Sequence, residues 1–99
     1  MKKIRIGIFG VGPRGIDLAK NFMMLNCEIA AICDNRADRL AKISKQLGEQ
    51  IPTFDSFDEF IKTEMDAVVL TNYFHEHAPY AIKCFERGLH VYSECMEQR

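Results

Sequence analysis

The feature that most constrains the fold of this 99-residue chain is the segment 10–15, which reads GVGPRG and matches the pattern G-x-G-x-x-G. An apolar, β-branched run over residues 3–9 precedes it, and apolar residues at helical spacing follow it from residue 13 to about residue 25. A strand before the glycines and a helix after them is the context in which this pattern binds a dinucleotide. Without that context the pattern is weak evidence, because glycines also cluster in tight turns that bind nothing.

Each glycine of this segment has a separate predicted role. Gly10 permits a tight turn, Gly12 lets a pyrophosphate approach the backbone because it has no Cβ, and Gly15 lets the helix pack closely on the strand. The helix N-terminus then presents free N–H groups and a partial positive charge to the phosphates. The residues predicted to bind the pyrophosphate are Gly10, Val11, Gly12, Pro13, Arg14 and Gly15.

The rest of the chain alternates short apolar runs with helical periodicity. Strands are predicted over residues 3–9, 28–33, 51–54, 67–71 and 90–93. Four helices are predicted between them. The first begins at residue 13, and the third begins at a capping box over 56–59. The second contains Leu40, Ile43 and Leu47 and ends at Gly48, and the fourth contains Ala78, Ala81, Ile82 and Phe85 and ends at Gly88. This alternation predicts one α/β domain over residues 1–99: a Rossmann-type parallel sheet of about five strands, order 3-2-1-4-5, with helices on both faces.

The second predicted binding element is Asp34, which follows the second strand. An acidic residue about 20 residues beyond the glycine pattern accepts hydrogen bonds from the adenosine ribose. Because a 2′-phosphate there would meet like charge, Asp34 favours NAD over NADP. Arg36 and Arg39 keep NADP as an alternative, since either guanidinium could offset a 2′-phosphate or lie along the adenine. We include Asp34, Asn35 and Arg36 in the predicted cofactor site.

A rival of a different class is an S-adenosylmethionine methyltransferase, which also has a glycine loop and an acidic end to its second strand. The loop of such an enzyme usually follows an acidic residue. Here it follows the apolar Phe9, which favours the dinucleotide interpretation.

Composition and motif spacing argue against several other classes of protein. Thirteen Lys and Arg against fourteen Asp and Glu give a net charge of −1, which argues against a nucleic-acid or anionic-membrane partner. No targeting segment is visible, and no apolar run reaches the roughly 18 residues of a membrane helix. The four cysteines match no metal or secreted framework, which predicts reduced thiols in the cytoplasm. His75 and His77 alone are too few for a metal site, so no metal is predicted.

On these motifs the chain resembles the N-terminal domain of the glucose–fructose oxidoreductase / inositol dehydrogenase (Gfo/Idh/MocA) family. The resemblance covers essentially the whole chain. It rests on the segments 6–15, 30–34, 65–70, 77–79 and 88–94, which read IGIFGVGPRG, AAICD, MDAVVL, HAP and GLHVYSE. The resemblance implies oxidation or reduction of a sugar, polyol or related hydroxyl compound with NAD or NADP. It also implies that Asn72, Glu94 and His77 approach the nicotinamide half of the cofactor, although a histidine at a surface helix start is an alternative for His77.

Two positions depart from the family pattern. Asn72-Tyr73 stands where the family commonly has Thr-Pro, and Glu94-Cys95-Met96 stands where it has Glu-Lys-Pro. The family's lysine lies near the nicotinamide and the substrate, and a protonated thiol at Cys95 cannot replace its charge. The catalytic residues therefore stay unassigned. A non-catalytic nucleotide-binding or assembly module is the alternative function.

The predicted fifth strand ends near Glu94, too close to Arg99 for the crossover of at least about 10–12 residues that a parallel sixth strand needs. We therefore expect a sheet truncated before its sixth strand and lacking the C-terminal substrate domain of the resembling family. On that expectation the 99-residue chain alone is inactive. A small hydroxylated substrate is then a partner only where a C-terminal domain exists, and a homo-oligomer is expected.

Overall fold

The computed structural model describes residues 3–10, 13–48, 50–71 and 77–93, which form one parallel sheet with helices on both faces. The strands are β1 (Ile4–Phe9), β2 (Cys27–Cys33), β3 (Thr53–Phe54), β4 (Ala67–Leu70) and β5 (His90–Ser93). Their order is β3-β2-β1-β4-β5, and every neighbouring pair is parallel. The predicted fold class and strand order are confirmed.

The helices are α1 (Pro13–Met24), α2 (Ala37–Leu47), α3 (Phe57–Phe60) and α4 (His77–Glu86). Side chains alternate between the two faces of a strand, so β1, β2 and β4 each contribute to two hydrophobic clusters. On one face, Ile8 of β1 and Ile32 of β2 pack in a cluster with Ala19 of α1 and Ile43 of α2. α1 and α2 therefore cover this face.

The opposite face is covered by α3 and α4 and is rich in aromatic rings. Phe9 of β1 lies with its ring centroid 4.9 Å from that of Phe57 and 4.6 Å from that of Tyr80. A Cβ on Gly7 would lie 2.7 Å from Cζ of Phe60. The absence of a side chain at Gly7 thus lets the ring of Phe60 pack directly on the middle of the sheet.

Two expectations about helices need correction. The capping box over 56–59 is wrong as a hydrogen-bonding unit: Ser56 is the N-cap of α3, but its side chain makes no capping hydrogen bond. This one-turn helix instead buries Phe57 and Phe60. In α4, apolar spacing locates the helix but not its packed side, because Ile82 and Phe85 are 56% and 63% exposed.

The residue of α4 that lies in the core is Cys84, which is fully buried, with Tyr80 and Ala81 packed against the same cluster. α4 packs on β4 and β5, and its Tyr80 also reaches Phe9 of β1. Within the described part of the chain, no helix has the length and apolar character needed to cross a membrane.

Candidate functional site

The carboxyl ends of the three central strands lie in one row. Phe9 of β1 pairs with Cys33 of β2 and with Leu70 of β4. The residues that follow these three are Gly10, Asp34 and Thr71. We call these three residues the carboxyl edge, and they include the two elements that the sequence predicts for cofactor binding.

The turn after β1 is built around two glycines. Gly10 has φ 94°, a conformation that favours glycine, and its N–H donates to the carbonyl oxygen of Cys33 at 2.9 Å. Gly15 is the third residue of α1 and is buried. A Cβ at this position would overlap the carbonyl oxygen of Gly10. The start of α1 therefore lies close to Gly10.

The remaining residues of the glycine segment are placed only in part. Pro13 and Arg14 begin α1. Val11 and Gly12 lie outside the described residues. The same is true of three other residues in the predicted site or next to it, namely Asn72, Glu94 and Cys95. His77 is the first residue of α4.

Asp34 is almost completely buried, with 2% of its surface exposed. Its Oδ1 accepts a hydrogen bond from the backbone N–H of Arg36 at 2.9 Å, and its Oδ2 lies 3.6 Å from Nη1 of Arg39. A buried carboxylate is costly unless such groups accompany it. The hydrogen bond from Gly10 to Cys33 places Asp34, the residue after Cys33, beside Gly10. Asn35, the next residue, is exposed.

The side chain of Arg36 points to a different partner. Its Nε and Nη2 donate to Oδ1 and Oδ2 of Asp38, each at 3.2 Å. These hydrogen bonds hold the pKa of the exposed Asp38 carboxyl below its ordinary value. The contact of Arg36 with Asp34 is thus made by its backbone, while the guanidinium pairs with Asp38.

Thr71 is a site residue that the sequence interpretation missed. It is 7% exposed, and its N–H donates to the carbonyl oxygen of Phe9 at 3.0 Å. Its Oγ1 lies within hydrogen-bond distance of the carbonyl oxygens of both Phe9 and Gly10, and its single proton can be donated to one of them at a time. The sequence signal that identifies Thr71 is a hydroxyl residue at the end of an apolar strand. The apolar pattern predicts Thr71 as the last residue of the strand, whereas β4 ends at Leu70.

The buried thiols in the described part of the chain, Cys33 and Cys84, are poor nucleophiles. Burial, with smaller contributions from the charges of Asp34 and Asp55, raises the pKa of the Cys33 thiol to about 12. Burial also raises the pKa of Cys84 to about 11. Both are therefore protonated at neutral pH, and the thiolate is the reactive form. In the segments that the structure describes, no three His, Cys, Asp or Glu side chains come together to hold a metal ion.

The geometry of the carboxyl edge fits a dinucleotide. Gly10, with its positive φ, lies close to the first turn of α1, and Asp34, whose carboxylate is buried, follows the neighbouring strand. These are the parts that hold a pyrophosphate and a ribose in nucleotide-binding sheets.

Comparison with known proteins agrees with this geometry. The model of an oxidoreductase family with an NAD-binding Rossmann fold, GFO_IDH_MocA, matches residues 4–95. The chain belongs to the Gfo/Idh/MocA family. This confirms the resemblance seen in the sequence and the prediction of an NAD-binding Rossmann fold. The family is described as an oxidoreductase family.

The individual proteins to which the chain is similar differ in name. A glycosyl hydrolase family 109 protein of Shewanella sp. (strain W3-18-1) is 34% identical, covering 95% of this chain and 23% of that protein. A myo-inositol 2-dehydrogenase of Thermotoga maritima is 32% identical, covering 92% of this chain and 28% of that protein. The chain thus spans about a quarter of the length of the curated relatives it matches.

A solved structure shows the same fold with ligands. Scyllo-inositol dehydrogenase from Lactobacillus casei, with bound NAD(H) and scyllo-inositol, superposes with a TM-score of 0.83 and 27% sequence identity. The match covers 93% of this chain and 28% of that one. The NAD prediction is therefore supported by both the family and a ligand-bound structural neighbour.

Proposed function

We propose that this chain is the cofactor-binding domain of an oxidoreductase that transfers hydride to or from a hydroxyl-bearing carbon of a sugar, polyol or related compound. The observation that carries the proposal is the buried carboxylate of Asp34 beside the turn at Gly10. A nucleotide ribose offers hydroxyl donors to such a carboxylate, and the adjacent α1 N-terminus attracts its phosphates. NAD bound there supplies the hydride acceptor or donor.

Within this proposal each predicted residue has a place. The segment 10–15 holds the pyrophosphate, and Thr71 positions the turn through the carbonyl oxygens of Phe9 and Gly10. Asp34, with Asn35 and Arg36 beside it, holds the ribose. Three residues are assigned to the nicotinamide half by family resemblance, namely Asn72, His77 and Glu94.

The substrate class is proposed from the names of relatives. Two of them are inositol dehydrogenases, and others are named glycosyl hydrolase family 109 proteins. A ring carrying several hydroxyl groups is common to inositols and glycosides. We propose that residues 1–99 form one cofactor domain and that substrate recognition depends on a second domain.

Two broader properties are also proposals. The described cysteines Cys27, Cys33 and Cys84 are free thiols, which supports a reducing compartment such as the cytoplasm. Exposed Ile82 and Phe85 of α4 support a homo-oligomer built from copies of this chain. Sedimentation velocity over a range of chain concentrations tests the second property, and a monomer at every concentration would contradict it.

Calorimetric titration of the folded chain with NAD⁺, NADH, NADP⁺ and NADPH tests the proposed cofactor site. We expect saturable binding with one site per chain. The matched control for the position of the site is Asp66→Asn, because this carboxylate lies at the opposite edge of the sheet, where its Oδ2 accepts the N–H of Arg5. A folded chain that binds none of the four nucleotides would contradict the proposal.

A non-catalytic nucleotide-binding or assembly module is the second candidate function, and Cys95 in place of the family's lysine favours it. Absorbance at 340 nm with NAD⁺ and a panel of inositols and sugars tests the module in one direction, because turnover by the chain contradicts it. The coding sequence beyond the codon of Arg99 gives a second comparison: an open frame encoding a second domain supports the enzyme, and a stop codon supports the module.

A further inference from the structure

Tyr80 lies in the first turn of α4, and its ring contacts the last residue of β1. We propose that Tyr80 is a positioning residue for the cofactor: its ring fixes the start of α4 relative to Gly10 and so determines the affinity for the nicotinamide half of NAD, with little effect on the adenosine half. The proposal rests on the proposed cofactor site, with Asp34 at the adenosine ribose.

The order of the strands indicates where the nicotinamide half lies. A dinucleotide binds across the crevice at the point where the strand order reverses. In the order β3-β2-β1-β4-β5 that point lies between β1 and β4. With the adenosine ribose at Asp34, after β2, and the pyrophosphate at Gly10, after β1, the nicotinamide extends toward the end of β4 and the start of α4.

Three aromatic rings, which we call the ring cluster, meet beside this crevice. The ring centroid of Tyr80 lies 4.6 Å from that of Phe9 and 4.8 Å from that of Phe57. The centroids of Phe9 and Phe57 are 4.9 Å apart. The interplanar angles of 57–64° are of the tilted, edge-to-face kind that aromatic pairs prefer. Because each ring contacts both of the others, the loss of one ring alters the packing of all three.

The ring cluster joins three segments that begin or end at the carboxyl ends of the strands. Phe9 is the last residue of β1 and precedes Gly10. Phe57 is the first residue of α3, and Tyr80 is the fourth residue of α4. Phe9 is also held through its backbone, because its carbonyl oxygen accepts the N–H of Thr71 at 3.0 Å. The contact of Tyr80 with Phe9 therefore sets the position of α4 relative to Gly10.

A second contact between α4 and α3 lies one turn further along α4. Nζ of Lys83 donates to Oδ1 of Asp58 at 3.0 Å and lies 5.9 Å from the ring centroid of Phe57. Both charged side chains are exposed, and an exposed ion pair contributes little to stability. The half-buried ring of Tyr80, rather than this ion pair, therefore holds the first turn of α4.

The test compares NADH with ADP, which carries the adenosine and both phosphates but no nicotinamide. Calorimetric titration of the 99-residue chain measures both ligands. We expect Tyr80→Leu to weaken NADH binding about fivefold, or about 1 kcal/mol, and ADP binding less than about twofold. Partial unfolding would weaken both ligands by the same factor, because each binds only the folded chain. A selective loss of NADH therefore reports the position of α4 and not its stability.

Two variants serve as controls. Tyr80→Phe keeps the ring and should bind NADH within about twofold of the unsubstituted chain. Phe22→Leu removes a ring from the opposite face of the sheet, where the centroids of Phe22 and Tyr92 are 6.1 Å apart. It should leave the ratio of the NADH and ADP affinities within about twofold. Circular dichroism establishes that each variant is folded. Should Tyr80→Leu fail to fold, Tyr80→Met replaces it, because methionine fills irregular space without a ring.

Each contrary outcome has a distinct meaning. Equal losses of NADH and ADP in Tyr80→Leu, or no loss of either, would overturn the role of Tyr80. An equally selective loss in Tyr80→Phe or Phe22→Leu would do the same. An unsubstituted chain that binds NADH no more tightly than ADP would overturn it too, while leaving nucleotide binding by the chain intact. An unsubstituted chain that binds neither ligand overturns the proposed function itself.

Discussion

Polar side chains are exposed at the amino-terminal ends of the strands, which we call the amino edge, and buried at the carboxyl edge. At the amino edge, Arg5 pairs with Glu28 at 2.8 Å, with the two side chains 29% and 49% exposed, and Asp66 accepts the N–H of Arg5. At the carboxyl edge lie Asp34 and Thr71, the polar side chains that are buried among the residues the structure describes.

The difference distinguishes hydrated polar groups on the surface from buried polar groups that position part of the structure or bind a ligand. Exposed ion pairs retain their hydration and contribute little to stability. Buried polar groups are costly unless they are partnered, so their placement needs a reason. At the carboxyl edge that reason is structural for Thr71, which positions the glycine turn, and is proposed to be ligand binding for Asp34.

The largest expected contrast lies between the two thiols at opposite ends of β2. A pKa of about 12 makes the Cys33 thiolate roughly a thousandfold rarer than that of an ordinary thiol near pH 8. Cys27, at the amino end, is partly exposed. We expect iodoacetamide to label Cys27 at least about a hundredfold faster than Cys33 in the folded chain, as measured by peptide mass spectrometry. In denaturant the two rates should converge, and similar rates in the folded chain would contradict the burial of Cys33.

The next contrast compares one acidic residue from each edge. Asp34→Asn should weaken NAD⁺ binding by roughly 10- to 100-fold, because hydrogen bonds to a charged acceptor contribute about 1.5–3 kcal/mol. Asp66→Asn at the amino edge should change binding less than about twofold. Calorimetric titration measures both variants. Equal effects would mean that binding does not depend on the carboxyl edge.

One added methyl group at Gly15 should disrupt the close packing of α1 against Gly10. In Gly15→Ala the Cβ would overlap the carbonyl oxygen of Gly10 and lie 3.2 Å from its carbonyl carbon. We expect a loss of about 1–3 kcal/mol in the free energy of unfolding, although alanine is the better helix former. Urea unfolding measures the loss, with Lys20→Ala on the exposed side of α1 as the control. A stabilised Gly15→Ala variant would show that α1 can move away from the turn.

The hydroxyl of Thr71 provides a smaller test of the same turn. Thr71→Val keeps the shape of the side chain but removes the donor to Phe9 and Gly10, which should cost about 0.5–1.5 kcal/mol of unfolding free energy. The exposed Thr53 of β3 supplies the matched variant, Thr53→Val, which should cost less. Indistinguishable urea unfolding of the two variants would remove the positioning role of Thr71.

The amino edge should be the most tolerant region. Glu28→Gln removes the ion pair with Arg5, and we expect it to change the free energy of unfolding by less than about 1 kcal/mol. The change should shrink further in 1 M salt, where exposed charges are screened. A loss above about 2 kcal/mol in urea unfolding would show that this pair is more than a surface contact.

How far the sequence could predict the fold depends on the range of the interactions involved. β5 has the predicted bounds, and β2 and β4 differ by a single residue, because these strands are short apolar runs set apart by polar or glycine neighbours. The face of α4 was harder to predict. Its apolar spacing includes the exposed Ile82 and Phe85, and only contact with the sheet determines that Cys84 lies inside.

The same distinction between local and long-range interactions applies to the candidate site. The glycine pattern, its flanking strand and helix, and Asp34 at a strand end are local features, and the sequence alone determined them and the family. Only the tertiary structure placed Thr71 against Phe9, a contact across 62 positions of the chain. It also decided that Arg39 faces Asp34 while Arg36 pairs with Asp38. Both results depend on how side chains orient once distant strands and helices pack together, and residue spacing does not encode that orientation.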